Sequence, residues 1–226
     1  MFGLASGIFF IGYVLVEVPS NLALVRFGAR RWLARIAVSW GVVAVALGFA
    51  PNATTLLVLR FLLGVAEAGL FPGVVFYLSQ WFPAAYRARV VGFFMLAIPI
   101  ASAIGTPLAA WLIQTGHGVF GLAGWRFMMI CVGLPAVLLG IVCWFYLTDR
   151  PAYAHWLTDP QRRWLTDTLA AEHHDTAARH RYPLRRTLTS PRVWGLALVY
   201  FGIAYGLYAL AFFLPPLLQA SAFRTD

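Results

Sequence analysis

Six long apolar runs dominate the sequence and limit what the chain can fold into. A helix needs about 20 apolar residues to cross the hydrocarbon core of a bilayer, and each run is close to that length or longer. Hydrophobic residues make up 61% of the chain and charged residues 11%, against about 25% charged residues in a soluble domain. The sequence therefore predicts an all-α polytopic membrane protein. Its predicted spans are 4–25, 33–50, 54–80, 88–113, 125–147 and 192–218.

The arginines are concentrated at the ends of these runs. The formal net charge is +9, from 17 basic residues, all of them arginine, and 8 acidic residues. Short loops rich in arginine are typical of the cytoplasmic side of a membrane. The apolar runs exclude a nucleic acid as the partner of this charge, and the lipid bilayer is the partner that the pattern indicates. The arginines predicted to be cytoplasmic are Arg26, Arg30, Arg31, Arg35, Arg87, Arg89, Arg150, Arg162, Arg163, Arg179, Arg181, Arg185, Arg186 and Arg192.

Two charged residues lie inside the third run, which we expect to form one helix over 54–80. Arg60 and Glu67 are seven residues apart, so they lie on one helix face, about 10.5 Å apart along the axis. A charge inside a membrane costs at least about 2.5–3.5 kcal/mol on insertion scales, and such residues usually face a cavity or a partner. We predict an anion-binding arginine and a proton-handling glutamate. The alternative is that both charges only hold helices together.

The first run and the turn that follows it supply further candidates. Tyr13 is predicted to face a cavity, and an aromatic side chain at the membrane interface is the alternative. The turn from Arg26 to Arg31 contains Gly28, which suits a tight turn that needs a positive φ.

The stretch from Thr148 to Pro191 is the one long polar segment. Within it, Thr158-Asp159-Pro160 is typical of a helix start, and the aromatic and leucine residues beyond it favour an amphipathic helix on the membrane surface. The spans contain no paired catalytic carboxylates, histidine ligands or nucleophile motif, so we expect neither an enzyme nor a bound cofactor or metal.

Four separated segments resemble one family, and the resemblance covers essentially the whole chain. The family is the anion:cation symporter branch of the major facilitator superfamily, whose members import organic acids such as sugar acids, tartrate and phthalate with protons. The resemblance implies a secondary transporter for a small organic anion and protons, working as a monomer in a bacterial inner membrane. The segments are FFIGYVLVEVPSNLALVRFGARRW, LRFLLGVAEAGLFPGVVFYLSQWFPAAYRAR, GLAGWRFM and DRPAYAHWL.

The resemblance also implies roles for individual residues. It makes Arg60 the receptor of the substrate carboxylate, Tyr13 a residue of the substrate cavity, and Glu67 the residue that is protonated during transport. The family's acidic residue before the first arginine of the gate loop is absent, because Val25 stands there. The residues that correspond to the loop of the cytoplasmic gate are Arg26, Gly28, Arg30 and Arg31.

By the same resemblance, the six runs are helices 2 to 7 of a twelve-helix carrier. We therefore expect a fragment that lacks the first helix and most of the second half. Its expected parts are an N-terminal helical bundle (1–147), a central cytoplasmic loop with the amphipathic helix (148–191) and the first helix of the C-terminal bundle (192–226). Alternating access needs two halves, so the predicted function is that of the intact carrier.

Two alternatives remain open. One is a drug or cation antiporter of the same superfamily, which would favour a GPxxGG-type signature that Gly105-Thr106-Pro107-Leu108 does not supply. The other is an inactive, truncated remnant of a transporter.

Overall fold

The structure is a computed structural model, and it describes residues 2–179 and 189–222. Helices form most of both ranges, because the apolar runs can satisfy their backbone hydrogen bonds internally only in that way. Three of the arginines predicted to be cytoplasmic, Arg181, Arg185 and Arg186, lie outside the described residues. The α-helices of the described part are α1 (Phe2–Phe27), α2 (Ala29–Gly48), α3 (Ala53–Glu67), α4 (Leu70–Trp81), α5 (Ala84–Met95), α6 (Ala97–Thr115), α7 (Gly124–Tyr146), α8 (Asp159–Arg179) and α9 (Pro191–Ala222).

Six helical segments of the described chain are long and apolar enough to cross a membrane, which confirms the predicted all-α polytopic class. Two of them consist of two helices each, α3 with α4 and α5 with α6. The segments are Gly3–Phe27, Ala29–Gly48, Ala53–Trp81, Ala84–Thr115, Gly124–Tyr146 and Pro191–Leu210.

The chain divides into two compact units, residues 1–173 and residues 174–226. The first contains α1 to α7 and most of α8. The second contains the end of α8 and the apolar helix α9, in which the rings of Phe201 and Tyr205 stack with their centroids 6.2 Å apart. The domain limits inferred from the sequence stay predictions.

Glycines bring α2 and α7 into backbone contact along most of their length. A Cβ placed on Gly41 of α2 would lie 2.7 Å from the carbonyl oxygen of Gly133 on α7, and the reverse distance is also 2.7 Å. The pattern recurs seven residues further along each helix. A Cβ placed on Gly48 would lie 2.8 Å from the carbonyl oxygen of Arg126, and one on Gly140 would lie 2.7 Å from the Cγ2 of Val38. Small residues at such positions let membrane helices approach closely. Close packing matters because lipid tails are as apolar as the side chains, so the hydrophobic effect does not drive the helices together.

A second close crossing joins α1 to α3. A Cβ on Gly12 would lie 2.5 Å from the carbonyl oxygen of Phe61, and one on Gly64 would overlap the carbonyl of Phe9. The same position on Gly64 is 3.0 Å from the backbone nitrogen of Tyr13. The crossing therefore sets Tyr13 beside the stretch of α3 that separates Arg60 from Glu67.

The third membrane span is broken, so the prediction of one helix over 54–80 is wrong. α3 ends at Glu67, Gly69 has a left-handed backbone (φ 87°), and α4 begins at Leu70. Pro72 has no N–H to give to the carbonyl four residues earlier, so the carbonyl of Ala68 is left without its helical donor. The hydroxyl of Ser20 on α1 donates to that oxygen at 2.7 Å.

Candidate functional site

Arg60 lies in the middle of α3, inside the membrane span. Its side chain is half-buried, and its Nε is fully buried without a hydrogen-bond acceptor in the described part of the chain. A guanidinium remains charged at any physiological pH and offers a planar fork of N–H donors that matches a carboxylate. Arg60 therefore combines a permanent charge with a hydrogen-bond donor that has no acceptor in the described residues.

Glu67 is the last residue of α3 and lies directly before the break. Its side chain is half-buried. Arg60 and Glu67 share the uninterrupted helix α3, so the predicted spacing of about 10.5 Å along one face holds. Within residues 2–179 and 189–222 the ion pairs are Arg87–Glu172 and Arg162–Asp159, and neither Arg60 nor Glu67 takes part in one.

Tyr13 lies on α1, half-buried, with its ring centroid 6.2 Å from that of Phe9. The structure thus brings Tyr13, Arg60 and Glu67 onto two helices that touch through backbone at Gly12 and Gly64. It does not join Arg60 to Glu67.

The turn between α1 and α2 is held by a carboxylate that the sequence analysis did not single out. Gly28 has φ 90° and ψ 147°, a conformation open essentially to glycine alone. The backbone N–H of Arg30 donates to Oδ1 of Asp149 at 2.7 Å. Asp149 follows α7, so an acidic side chain distant in sequence reaches the start of α2, although Val25 supplies none. Asp149 is the first residue of the segment DRPAYAHWL, and its place in that family segment is the sequence feature that pointed to it.

The three arginines of this turn differ in their surroundings. Arg26 is exposed, and its guanidinium carbon lies 5.8 Å from the ring centroid of Phe27. Arg31 is exposed, and Arg30 is half-buried with its Nε buried and without an acceptor in the described residues. The turn therefore presents two exposed cations, Arg26 and Arg31, while Asp149 fixes its backbone at Arg30.

The segment after α7 also docks on the end of α4. The carbonyl oxygen of Thr148 accepts hydrogen bonds from the Tyr77 hydroxyl and the Trp81 indole, both at 3.1 Å. The indole of Trp81 stacks on Trp156 with centroids 5.6 Å apart and planes 9° apart. The ends of α2, α4 and α7 are thus fastened together through residues 148 to 156.

Helix α8 begins at Asp159, as the sequence predicted, and it is tied to α5. Both carboxylate oxygens of Glu172 accept from the backbone N–H of Ala84 at 3.0 Å, in the first turn of α5. Arg87, one turn along, approaches the same carboxylate at 3.5 Å. A carboxylate at a helix N-terminus is stabilised by the unpaired N–H groups and the helix dipole there.

Comparison with known proteins identifies the class. The model of the Major Facilitator Superfamily matches residues 1–224, and the chain belongs to that family of membrane transporters. This confirms the resemblance seen in the sequence, and it confirms the expectation of a transporter rather than an enzyme.

Two relatives and one solved structure give the detail. A "Putative tartrate transporter" from Agrobacterium vitis is 47% identical over 219 residues, covering 97% of this chain and 50% of the relative. A "Quinolone resistance transporter" from Acinetobacter baumannii is 42% identical over 221 residues, covering 96% of this chain and 50% of that protein. The crystal structure of a bacterial homologue of the human lysosomal transporter Spinster shares the fold, with a TM-score of 0.55 and 21% identity over 66% of this chain and 35% of that one. The chain spans about half the length of the curated relatives it matches.

Proposed function

We propose that the carrier to which this chain contributes imports an organic anion together with protons by alternating access. The observation that carries the proposal is Arg60, a cation inside a membrane span whose buried Nε lacks an acceptor in the described part of the chain. Ionisable residues inside membranes are rare and mark substrate or ion pathways, so a carboxylate of the substrate is the acceptor we assign to Arg60. The 47% identity to a protein named as a tartrate transporter supports a carboxylate substrate.

Glu67 is the proposed proton carrier. A half-buried carboxylic acid in low dielectric is favoured in its neutral form, and it can release its proton when the cavity opens to the cytoplasm. Protonation of Glu67 would remove one charge while the bound anion neutralises Arg60. Without that proton, one bound carboxylate and the ionised Glu67 would leave an excess negative charge beside Arg60. With the proton, the loaded cavity is neutral, as the empty cavity is.

Tyr13 is proposed to line the same cavity, since the Gly12–Gly64 crossing holds α1 against α3. The turn with Arg26, Gly28, Arg30 and Arg31 is proposed as the cytoplasmic gate, with Asp149 as the carboxylate that fixes it. The carrier is proposed to be a monomer in a bacterial inner membrane, with the domain limits given by the sequence.

A second candidate, export of a drug-like compound, has one specific observation in its favour. The relative from Acinetobacter baumannii, at 42% identity, is named for quinolone resistance. A quinolone carries a carboxylate as well as a basic amine, so Arg60 and Glu67 could both serve it. The direction of proton movement separates the candidates. When the substrate is supplied outside, a symporter carries protons in with it, and an antiporter carries protons out in exchange for it.

The test uses a carrier of full length. This chain replaces the aligned half of the Agrobacterium vitis relative, and the chimera is reconstituted in liposomes with an internal pH dye. Tartrate, sugar acids, phthalate, hydroxybenzoates and a quinolone are added outside in turn. We expect one class of acid to acidify the lumen, with the signal lost in Arg60→Ala and Glu67→Gln.

Two results would overturn the assignment. Acidification that survives Arg60→Ala would leave Arg60 as a packing residue. Proton efflux on addition of the quinolone, with no response to any acid, would establish the antiporter. The unmodified relative serves as the control for reconstitution.

A further inference from the structure

A groove runs along the outside of the α2–α7 contact, at the end that the arginine pattern predicts to be cytoplasmic. Its cavity has a volume of about 460 Å³. Small residues, Ala34 and Gly140, form part of its lining where the two helices touch. The remaining lining is apolar apart from Arg35 and Ser39, and it consists of Val38, Ile141, Trp144 and Phe145.

Arg35 is the charged residue of the groove. It lies six residues after the first residue of α2, so it is about 9 Å along the helix from that end. Its Nε and Nη2 atoms are buried and have no acceptor in the described residues. The guanidinium carbon lies 4.2 Å from the Trp32 ring centroid, which fixes the plane of the group but supplies no hydrogen-bond acceptor.

The chemistry of the groove is that of a phospholipid. An apolar channel between two membrane helices suits an acyl chain, and an unsatisfied guanidinium at its polar end suits a phosphate, which accepts from the planar fork. Arg31, exposed and four residues before Arg35, lies on the same face of α2 and adds a second cation nearer the surface. Basic pockets between membrane helices on the cytoplasmic side bind anionic head groups.

Ser39 does not compete for this ligand. Its hydroxyl donates to the carbonyl of Ile36 in its own helix at 3.1 Å. The indole of Trp144 stands two residues before the end of α7, where tryptophan is favoured at the level of the head groups. The depth of Trp144 therefore agrees with a head group near Arg35.

We propose that the α2–α7 groove binds an anionic phospholipid of the cytoplasmic leaflet, with Arg35 holding the phosphate and the groove holding one acyl chain. This site is separate from the proposed substrate site, which rests on α1 and α3. The proposal does not depend on the substrate or on the coupling ion.

The test measures lipid binding to the purified 226-residue chain in detergent by native mass spectrometry. Phosphatidylglycerol is compared with phosphatidylcholine of the same acyl chains, and inorganic phosphate is added as a competitor. Phosphatidylglycerol is expected to bind more tightly, and Arg35→Gln is expected to weaken it about tenfold, the effect of one charge-assisted hydrogen bond. Arg35→Lys keeps the charge without the planar fork, and it is expected to bind more tightly than Arg35→Gln and less tightly than the parent chain.

Arg163→Gln is the matched control. Arg163 is exposed on α8 and lies outside the groove. Its loss removes the same net charge and is expected to leave binding unchanged. A second variant, Ile141→Trp, keeps every arginine and fills the groove, and it is expected to abolish the preference even where Arg35→Gln folds poorly.

Several outcomes would overturn the proposal. They are equal binding of the two lipids, an equal loss in Arg163→Gln, full binding in Ile141→Trp, or displacement of the lipid by millimolar phosphate alone. Binding that is present in the chain but absent from the full-length chimera would show that another part of the carrier covers the groove, which also refutes the site.

Discussion

The hydroxyl of Ser20 donates to the carbonyl oxygen of Ala68 at 2.7 Å and joins α1 to the break between α3 and α4. Ser20 is 2% exposed, and its oxygen also accepts from the indole of Trp32 at 3.0 Å. One buried side chain thus satisfies the backbone group that Pro72 leaves unpaired, one residue beyond Glu67. The position of the proposed proton carrier depends on this contact.

Replacing Ser20 by alanine should destabilise the bundle. The Ala68 carbonyl and the Trp32 indole would both lose a partner in a buried place, which corresponds to about 1–2 kcal/mol. The midpoint of unfolding in an SDS titration measures the loss. Ser79→Ala is the control, since that hydroxyl donates only to Phe76 of its own helix, and an equal shift in both variants would contradict the role of the Ser20 contact.

The turn before α2 should be sensitive to any side chain at Gly28. Gly28→Ala would place a Cβ in a conformation that costs about 1–3 kcal/mol, and 3.1 Å from Oδ1 of Asp149. Gly118→Ala has φ 84° and ψ −11°, a left-handed conformation that an alanine adopts at lower cost than that of Gly28, and it has open space around it. Thermal unfolding of the two variants should show the larger loss for Gly28→Ala. Equal losses would show that neither the backbone conformation of Gly28 nor its approach to Asp149 adds to the cost.

The α2–α7 contact should not tolerate a single methyl group. In Gly41→Ala the new Cβ would lie within 3 Å of three atoms of α7, and overpacking of this kind costs about 1–3 kcal/mol. Gly105→Ala, in α6 with no atom within 4 Å, should be neutral or stabilising by about 0.5–1 kcal/mol. Circular dichroism during heating in detergent distinguishes the two. A tolerated alanine at Gly41 would show that the helices separate without penalty.

The link between α8 and α5 should depend on the charge of Glu172. Glu172→Gln would weaken both the cap on Ala84 and the ion pair with Arg87. The side chains of Glu172 and Arg87 are 29% and 34% exposed, so we expect the stability of the docked state to fall by about 0.5–1 kcal/mol. Hydrogen exchange in the first turn of α5 should become faster, and the difference should shrink in high salt. Asp159→Asn removes the other ion pair, within α8 itself, and should leave α5 unaffected. Unchanged exchange in Glu172→Gln would rule out a docking role.

Glu67 should control coupling and not substrate exchange. In the full-length chimera, Glu67→Gln mimics the protonated residue, so exchange of labelled acid for unlabelled acid should persist while accumulation driven by a pH gradient is lost. Arg60→Ala should abolish both. Gradient-driven accumulation in Glu67→Gln would show that protons travel by another group.

The sequence contains a signal for the break in the third span, although the length of the apolar run predicts one helix over 54–80. Gly69 followed three residues later by Pro72 is a pattern that ends one helix and begins another, because proline frees the carbonyl of Ala68 and glycine accepts a left-handed backbone. The mean hydropathy of the run does not show the break. Hydropathy gives the length of an apolar span and does not depend on whether one helix or two form it.

The carboxylates of Asp149 and Glu172 could not be placed from the sequence. Their partners Arg30 and Ala84 are 119 and 88 residues away, and in each case the acceptor meets a backbone N–H, which has no side-chain signature. The charges inside the spans were different. Arg60 and Glu67 stand out against their apolar neighbours, so the sequence could name them, while their roles stay predictions.

The division of the third span also bears on how the protein enters the membrane. α3 has 15 residues and α4 has 12, so their lengths are about 22 Å and about 18 Å, each shorter than the hydrocarbon core of about 30 Å. Neither helix alone can cross the hydrocarbon core. We therefore expect the insertion machinery to release both together, after which the carbonyl of Ala68, which has no donor within its own span, pairs with the Ser20 hydroxyl of a span synthesised earlier.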